Sequence, residues 1–153
     1  MSPTKKESAY LHLPTYTAGL LYHMGTFLSL FIFILFIIGI IPSNTIAYFF
    51  SAILVIGGLS GLGIFIKRAA KDQLRALSNP DDYISNLLVT IVQLLTALSL
   101  IIPEALPYYY IMISMFFLYL PLGKLKHTVY FFAARYHLGF FYGWRGVWPP
   151  KQG

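Results

Sequence analysis

Four long apolar stretches, each almost free of charge, alternate along this chain with short polar segments. The first runs from Ala18 to Ile41 and is closed by Pro42. As a helix rising about 1.5 Å per residue it would cover roughly 36 Å, enough to cross a hydrocarbon layer about 30 Å thick with some tilt. After a short linker the second stretch, Ala47 to Ile66, ends at Lys67 and Arg68. Within it Gly57 and Gly61 have the small-xxx-small spacing that lets a neighbouring helix approach closely. The polar segment 67–83 has helical character up to Asn79-Pro80, which should stop it, and reads as an amphipathic surface connection. Ile84 to Ile102 is the third stretch, and Pro103 to Pro107 forms a tight turn. The fourth helix is expected from about Tyr108 to about Phe132, kinked at Pro121, with Lys124 and Lys126 snorkelling to the membrane surface. The pattern predicts an all-α membrane protein of four transmembrane helices. A polar tail (1–17) precedes the helical domain (18–135), and a second tail (136–153) follows it.

Composition supports a membrane setting: 58% of the 153 residues are hydrophobic and only 10% are charged. The mean hydropathy of +0.69 lies outside the range of soluble domains. The N-terminal segment is too long and polar for the n-region of a signal peptide and reads as a retained tail. The net charge of +6 does not point to nucleic acid, because the cations are dispersed beside the apolar runs. All eleven Lys and Arg residues fall on the side shared by the two termini and the 67–83 segment. The positive-inside rule then expects both termini to be cytoplasmic. There is no cysteine, which excludes disulfides, Cys-ligated iron–sulfur clusters and covalent C-x-x-C-H haem attachment.

Two histidines stand out against this apolar background. His23 precedes the far end of its helix by 18 residues, and His127 follows the far end of its own by 19. At about 1.5 Å per residue both would lie about 27–28 Å from that side, at matching depth. Neutral imidazole is a good iron ligand and carries no charge into hydrocarbon, so the pair suits the two axial positions of one b-type haem. Gly19 and Gly123 each precede a histidine by four residues, which would clear the same helix face for a macrocycle edge. Lys124, Lys126, Arg68 and Arg135 are candidate partners for the haem propionates. The competing account makes each histidine an interfacial residue hydrogen-bonded to a neighbouring helix. His137 is the rival for the ligand role of His127, and His12 has no assigned role.

The remaining chemistry is sparse. Tyr108, Tyr109 and Tyr110 read as one interfacial belt, and Trp144 and Trp148 as the other. The aromatic, Gly- and Arg-containing tail suits a docking segment that orders on a partner, or a disordered end. No Ser-His-Asp set, carboxylate pair, phosphate loop or metal cluster is visible, so hydrolytic and phosphoryl chemistry are not expected. A transporter is disfavoured because no charged residue lines a midplane path.

Leu21-Tyr22-His23, Gly57-Gly58-Leu59-Ser60-Gly61, the pair Lys67-Arg68, and Leu125-Lys126-His127 before an aromatic, basic tail occur in one order and spacing. This set, over residues 18 to 135, resembles the membrane cytochrome b (gamma) subunit of respiratory nitrate reductases and related subunits of heterodisulfide-reductase-like complexes. In that family four histidines on two helices bind two b haems. The resemblance implies that His23 and His127 would hold the haem nearer a cytoplasmic iron–sulfur partner. The family's other pair would fall at Phe33 and Tyr109, so the resemblance implies one haem b here. The family's first span and the lysine associated with quinol binding also have no counterpart. The resemblance implies a non-catalytic electron-transfer subunit of an oxidoreductase complex in the inner membrane of a prokaryotic cell. It would pass electrons between membrane quinone and iron–sulfur or molybdenum-containing subunits on the cytoplasmic side. The alternative is a haem-free membrane anchor for a redox enzyme.

Overall fold

A computed structural model describes residues 13–144. They form six α-helices: α1 (Leu13–Ile37), α2 (Asn44–Ala70), α3 (Asp72–Ala76), α4 (Pro80–Ile101), α5 (Leu106–Tyr119) and α6 (His127–Trp144). Short 3-10 turns at Pro103–Ala105 and Lys124–Lys126 introduce α5 and α6, and no strand occurs among the described residues. Three helices, α1, α2 and α4, are each long and apolar enough to cross a membrane.

The ends of these helices follow from local chemistry. α1 stops at Ile37, before the expected Ile41, because Gly39 adopts φ +75. The Gly39 N–H then reaches the Phe36 carbonyl at 3.2 Å and the Ile40 N–H reaches that of Leu35 at 2.9 Å. This paired closure satisfies carbonyls the helix would otherwise orphan. α4 begins at Pro80, earlier than the expected Ile84, because Asn79 caps it reciprocally. Asn79 Oδ1 accepts from the Asp82 N–H, and Asp82 Oδ2 accepts from the Asn79 N–H, both at 3.0 Å. Pro80 fits the first helical position, where no N–H is needed.

α4 is the most enclosed of the three spans, packed against α2, α1 and α5. Lipid tails are as apolar as leucine, so close approach and interhelical hydrogen bonds must hold the helices together. Gly57 lies against Gly25 and Gln93, Gly58 against Leu94, and Gly61 against Tyr22 and Thr90, as the spacing of small residues suggested. Ser29 and Thr96 share a hydroxyl hydrogen bond of 2.6 Å, and Ser51 Oγ donates to the Ala97 carbonyl at 2.8 Å.

The continuous fourth helix expected from about Tyr108 to about Phe132 is not formed. α5 ends at Tyr119, and the pair α5 and α6 is bent by 79° across the break. Pro121 cannot donate a backbone hydrogen bond, so the helix is weakest here. Two carboxylates from α4 then take hold of the freed chain. Asp81 Oδ2 accepts from the Lys124 N–H at 2.6 Å, Asp81 Oδ1 accepts from the Tyr119 hydroxyl, and Asp82 pairs with the Lys124 ammonium. α5 has 14 residues and alone covers about 21 Å, short of a full crossing. The helical tally is therefore three spans, or four if α5 and α6 count as one broken span.

The boundaries of the two tails also shift. Helix begins at Leu13, inside the expected N-terminal tail, and α6 continues through Tyr136 to Trp144, inside the expected C-terminal one. The rest of both tails, including His12, Trp148 and Lys151, lies outside the described residues.

Candidate functional site

Four polar contacts fix the rotation of α1 beside His23. The Tyr22 hydroxyl donates to the Asn86 carbonyl at 2.8 Å and accepts from Thr90 Oγ1 at 3.3 Å. Gln93 Nε2 donates to the Tyr22 carbonyl at 3.0 Å and to Thr26 Oγ1 at 2.8 Å. Successive residues of a helix point about 100° apart, so locking Tyr22 onto α4 sends His23 to the flank facing α5 and α6. There His23 is solvent- or lipid-accessible, with its ring tilted against that of Tyr22 at 6.2 Å between centroids.

Across that flank lies a cavity of about 470 Å³, and both His23 and His127 line it. From α1 come His23, Thr26, Phe27 and Leu30; from α4, Val89; from the end of α5, Phe116 and Leu120. Leu125 and the first residues of α6, His127, Thr128, Phe131 and Phe132, close the other side. The walls are apolar except for two imidazoles and two threonines. The size and lining suit an apolar ligand oriented by a few polar atoms.

His127 Nδ1 is hydrogen-bonded to the Lys124 carbonyl. A carbonyl oxygen only accepts, so Nδ1 carries the proton and the lone pair of the neutral ring sits on Nε2. A histidine whose Nδ1–H is held by a backbone carbonyl has the tautomer and orientation of a metal ligand through Nε2. Among the described residues no three His, Cys, Asp or Glu side chains gather around one point. Iron in a macrocycle brings its own equatorial nitrogens and needs only two ligands from the protein.

The two histidines thus come to line one cavity by a route other than matched depth along straight helices. His127 lies beyond the break, so counting residues from Tyr108 does not measure its depth. The other candidates separate. Gly123 does not clear space for the cavity: a Cβ there would come within 2.5 Å of Asp81 Oδ1 and 2.7 Å of the Tyr119 ring. Gly19 has open space around it and does not line the cavity. Arg68 and Lys124 are both engaged by Asp82, Arg68 at 3.2 Å, so neither is a spare cation for an incoming anion. Lys126 is exposed, and the Arg135 guanidinium lies 5.8 Å over the ring of Phe131, a cavity residue. His137 stacks on Phe141 with ring centroids 6.3 Å apart, and it does not line the cavity.

At the positions of the absent second pair the chain is filled. Phe33 packs on Phe117 at 5.1 Å, and Tyr109 is fully buried with its ring edge-on to Phe36 at 5.7 Å. No family model, curated protein or solved structure matches the chain. Its own chemistry must carry the functional argument.

Two groups escaped the sequence reading. Asp81 and Asp82 organise the break that brings His127 to the cavity. Their signal was present as two acids in the first turn after an Asn-Pro cap, close to several cations. Gln93, fully buried between Gly25 and Gly57, anchors α1. Thr90, Gln93 and Thr96 recur every third residue, a polar stripe in an otherwise apolar helix.

Proposed function

We propose that this chain is a membrane cytochrome b subunit that binds one haem b between His23 and His127. Electrons would pass between membrane quinone and an iron–sulfur or molybdenum-containing partner at the basic end of the bundle. The observation that carries this reading is that the two imidazoles line one apolar cavity, with the Nδ1–H of His127 already committed to a carbonyl. The haem would supply reversible one-electron carriage. The chain's own residues hold and enclose it. Tyr22 and Gln93 fix the rotation of α1 and so aim His23, while Asp81 and Asp82 hold the turn that aims His127. Phe27, Leu30, Phe116 and Phe131 line the cavity and would give a bound macrocycle an apolar surround. Arg135 and Lys126 are the cations left for propionates, since Asp82 occupies Arg68 and Lys124. The excess of Lys and Arg at this end favours the cytoplasmic side, which would put the partner there. A haem-free anchor would have no need for two imidazoles at one apolar cavity.

Full-length protein in membranes, produced with haem biosynthesis intact, provides the test. The account expects a dithionite-reducible b-type band that is lost in His23→Ala and in His127→Ala and retained in His137→Ala. Absence of the band from the wild type, or its persistence in both ligand variants, would remove the haem from the reading.

A further inference from the structure

The helix α6 is unlike the other long helices, since none of its residues is buried. Eight of its 18 residues are Phe, Tyr or Trp. On one face Tyr136, Phe140 and Trp144 form a ladder at four-residue spacing, with ring centroids 6.4 Å and 5.7 Å apart. Tyr136 is 77% and Trp144 82% exposed.

The height of this helix is set by the turn that precedes it. Lys124 and Arg68 meet on Asp82, and the Lys67 ammonium donates to Thr15 Oγ1. These contacts place the start of α6 at the basic rim of the bundle, where α2 ends and α4 begins. From there α6 leaves at 79° to α5. α5 packs on the spanning helix α4, and a helix of about 27 Å at 79° to α5 would run along the membrane surface. Lipid is then the expected neighbour at that height.

The side chains match that neighbour. Tyr and Trp combine an apolar ring with a polar tip and concentrate at the level of the headgroups. The segment from Lys124 to Trp144 contains Lys124, Lys126 and Arg135 and no Asp or Glu. Among the described residues neither Lys126 nor Arg135 pairs with a carboxylate, so both stand at the rim open to anionic groups, lipid headgroups as well as the propionates of the haem reading.

We propose that α6 is a surface-lying membrane helix, with the Tyr136, Phe140 and Trp144 face embedded at headgroup level in a bilayer containing anionic phospholipid. This goes beyond the haem reading and does not depend on it. A helix so held would form the floor of the histidine cavity, through Phe131 and Phe132, from a fixed position in the membrane.

The test uses the full chain carrying Trp148→Phe, which leaves Trp144 as its one tryptophan. The protein is placed in nanodiscs of phosphatidylcholine and phosphatidylglycerol with quenchers attached at either shallow or deep positions on the lipid chains. The expected result is blue-shifted Trp144 emission, quenched more by the shallow label than by the deep one and protected from aqueous iodide. In phosphatidylcholine alone, shallow quenching should weaken. Stronger quenching by the deep label would mean that α6 enters the bilayer core and would overturn the proposal. Full access to iodide without lipid quenching would equally overturn it, as would emission that shifts only when another protein is bound. Quenching identical in the two lipid compositions would overturn the role of anionic headgroups.

Discussion

Gln93 shows how single positions decide this fold. Its amide oxygen sits where side chains of Gly25 and Gly57 would be, 2.5 Å and 2.6 Å from the Cβ each would carry, while its nitrogen bonds α1. Glycine is needed at both positions for steric room, not for unusual backbone angles. Gly57→Val should therefore push α1 and α2 apart and cost on the order of 1–3 kcal/mol, the usual range for overpacking. Gly19→Ala should be neutral for stability and haem content alike, because nothing lies within 4 Å of a Cβ there. Denaturant titration of the purified variants checks both, and a Gly19→Ala loss matching that of Gly57→Val would contradict the packing described. The small-residue spacing of Gly57 and Gly61 was readable because close helix contact requires it. The role of Gly123 was not, because the atoms it makes room for, on Asp81 and Tyr119, depend on tertiary packing.

At the scale of elements, length and hydropathy were enough to find α1, α2 and α4, since a span of the bilayer leaves little latitude. Their ends moved by several residues where capping chemistry outweighed hydropathy, at Gly39 for α1 and at Asn79 for α4. The fourth helix was legible only as a weak point at Pro121. The size of the bend is set by carboxylates about 40 residues earlier in the chain, a distance local pattern does not cover. Asp82 is the centre of that restraint, pairing with Lys124 and Arg68 from a buried position. Asp82→Asn should lower the melting temperature and loosen α6, seen as faster amide exchange from His127 onward. Asp72→Asn should do neither, because its pair with Arg75 is exposed and such pairs contribute little. Equal effects from the two substitutions would show that the acidic pair does not govern the break.

For the whole molecule, three or four apolar helices describe a multi-pass membrane protein, with a polar stripe inside the bundle and Arg68 and Lys124 gathered on Asp82 at one rim. The two histidines were visible in the sequence as ionisable groups in apolar surroundings, and the structure brings both to one cavity. It does so through a broken helix, so the depth argument that first paired them does not explain their meeting. Phe33 packs on Phe117 and Tyr109 is buried against Phe36, so the proposed haem reading commits to one haem per chain. The most direct measurement is haem content per chain of the purified full-length protein, combined with low-temperature electron paramagnetic resonance of the oxidised form. The account predicts one haem per chain with a low-spin, bis-histidine signal. Two haems per chain, none, or a high-spin iron lacking one imidazole would contradict it.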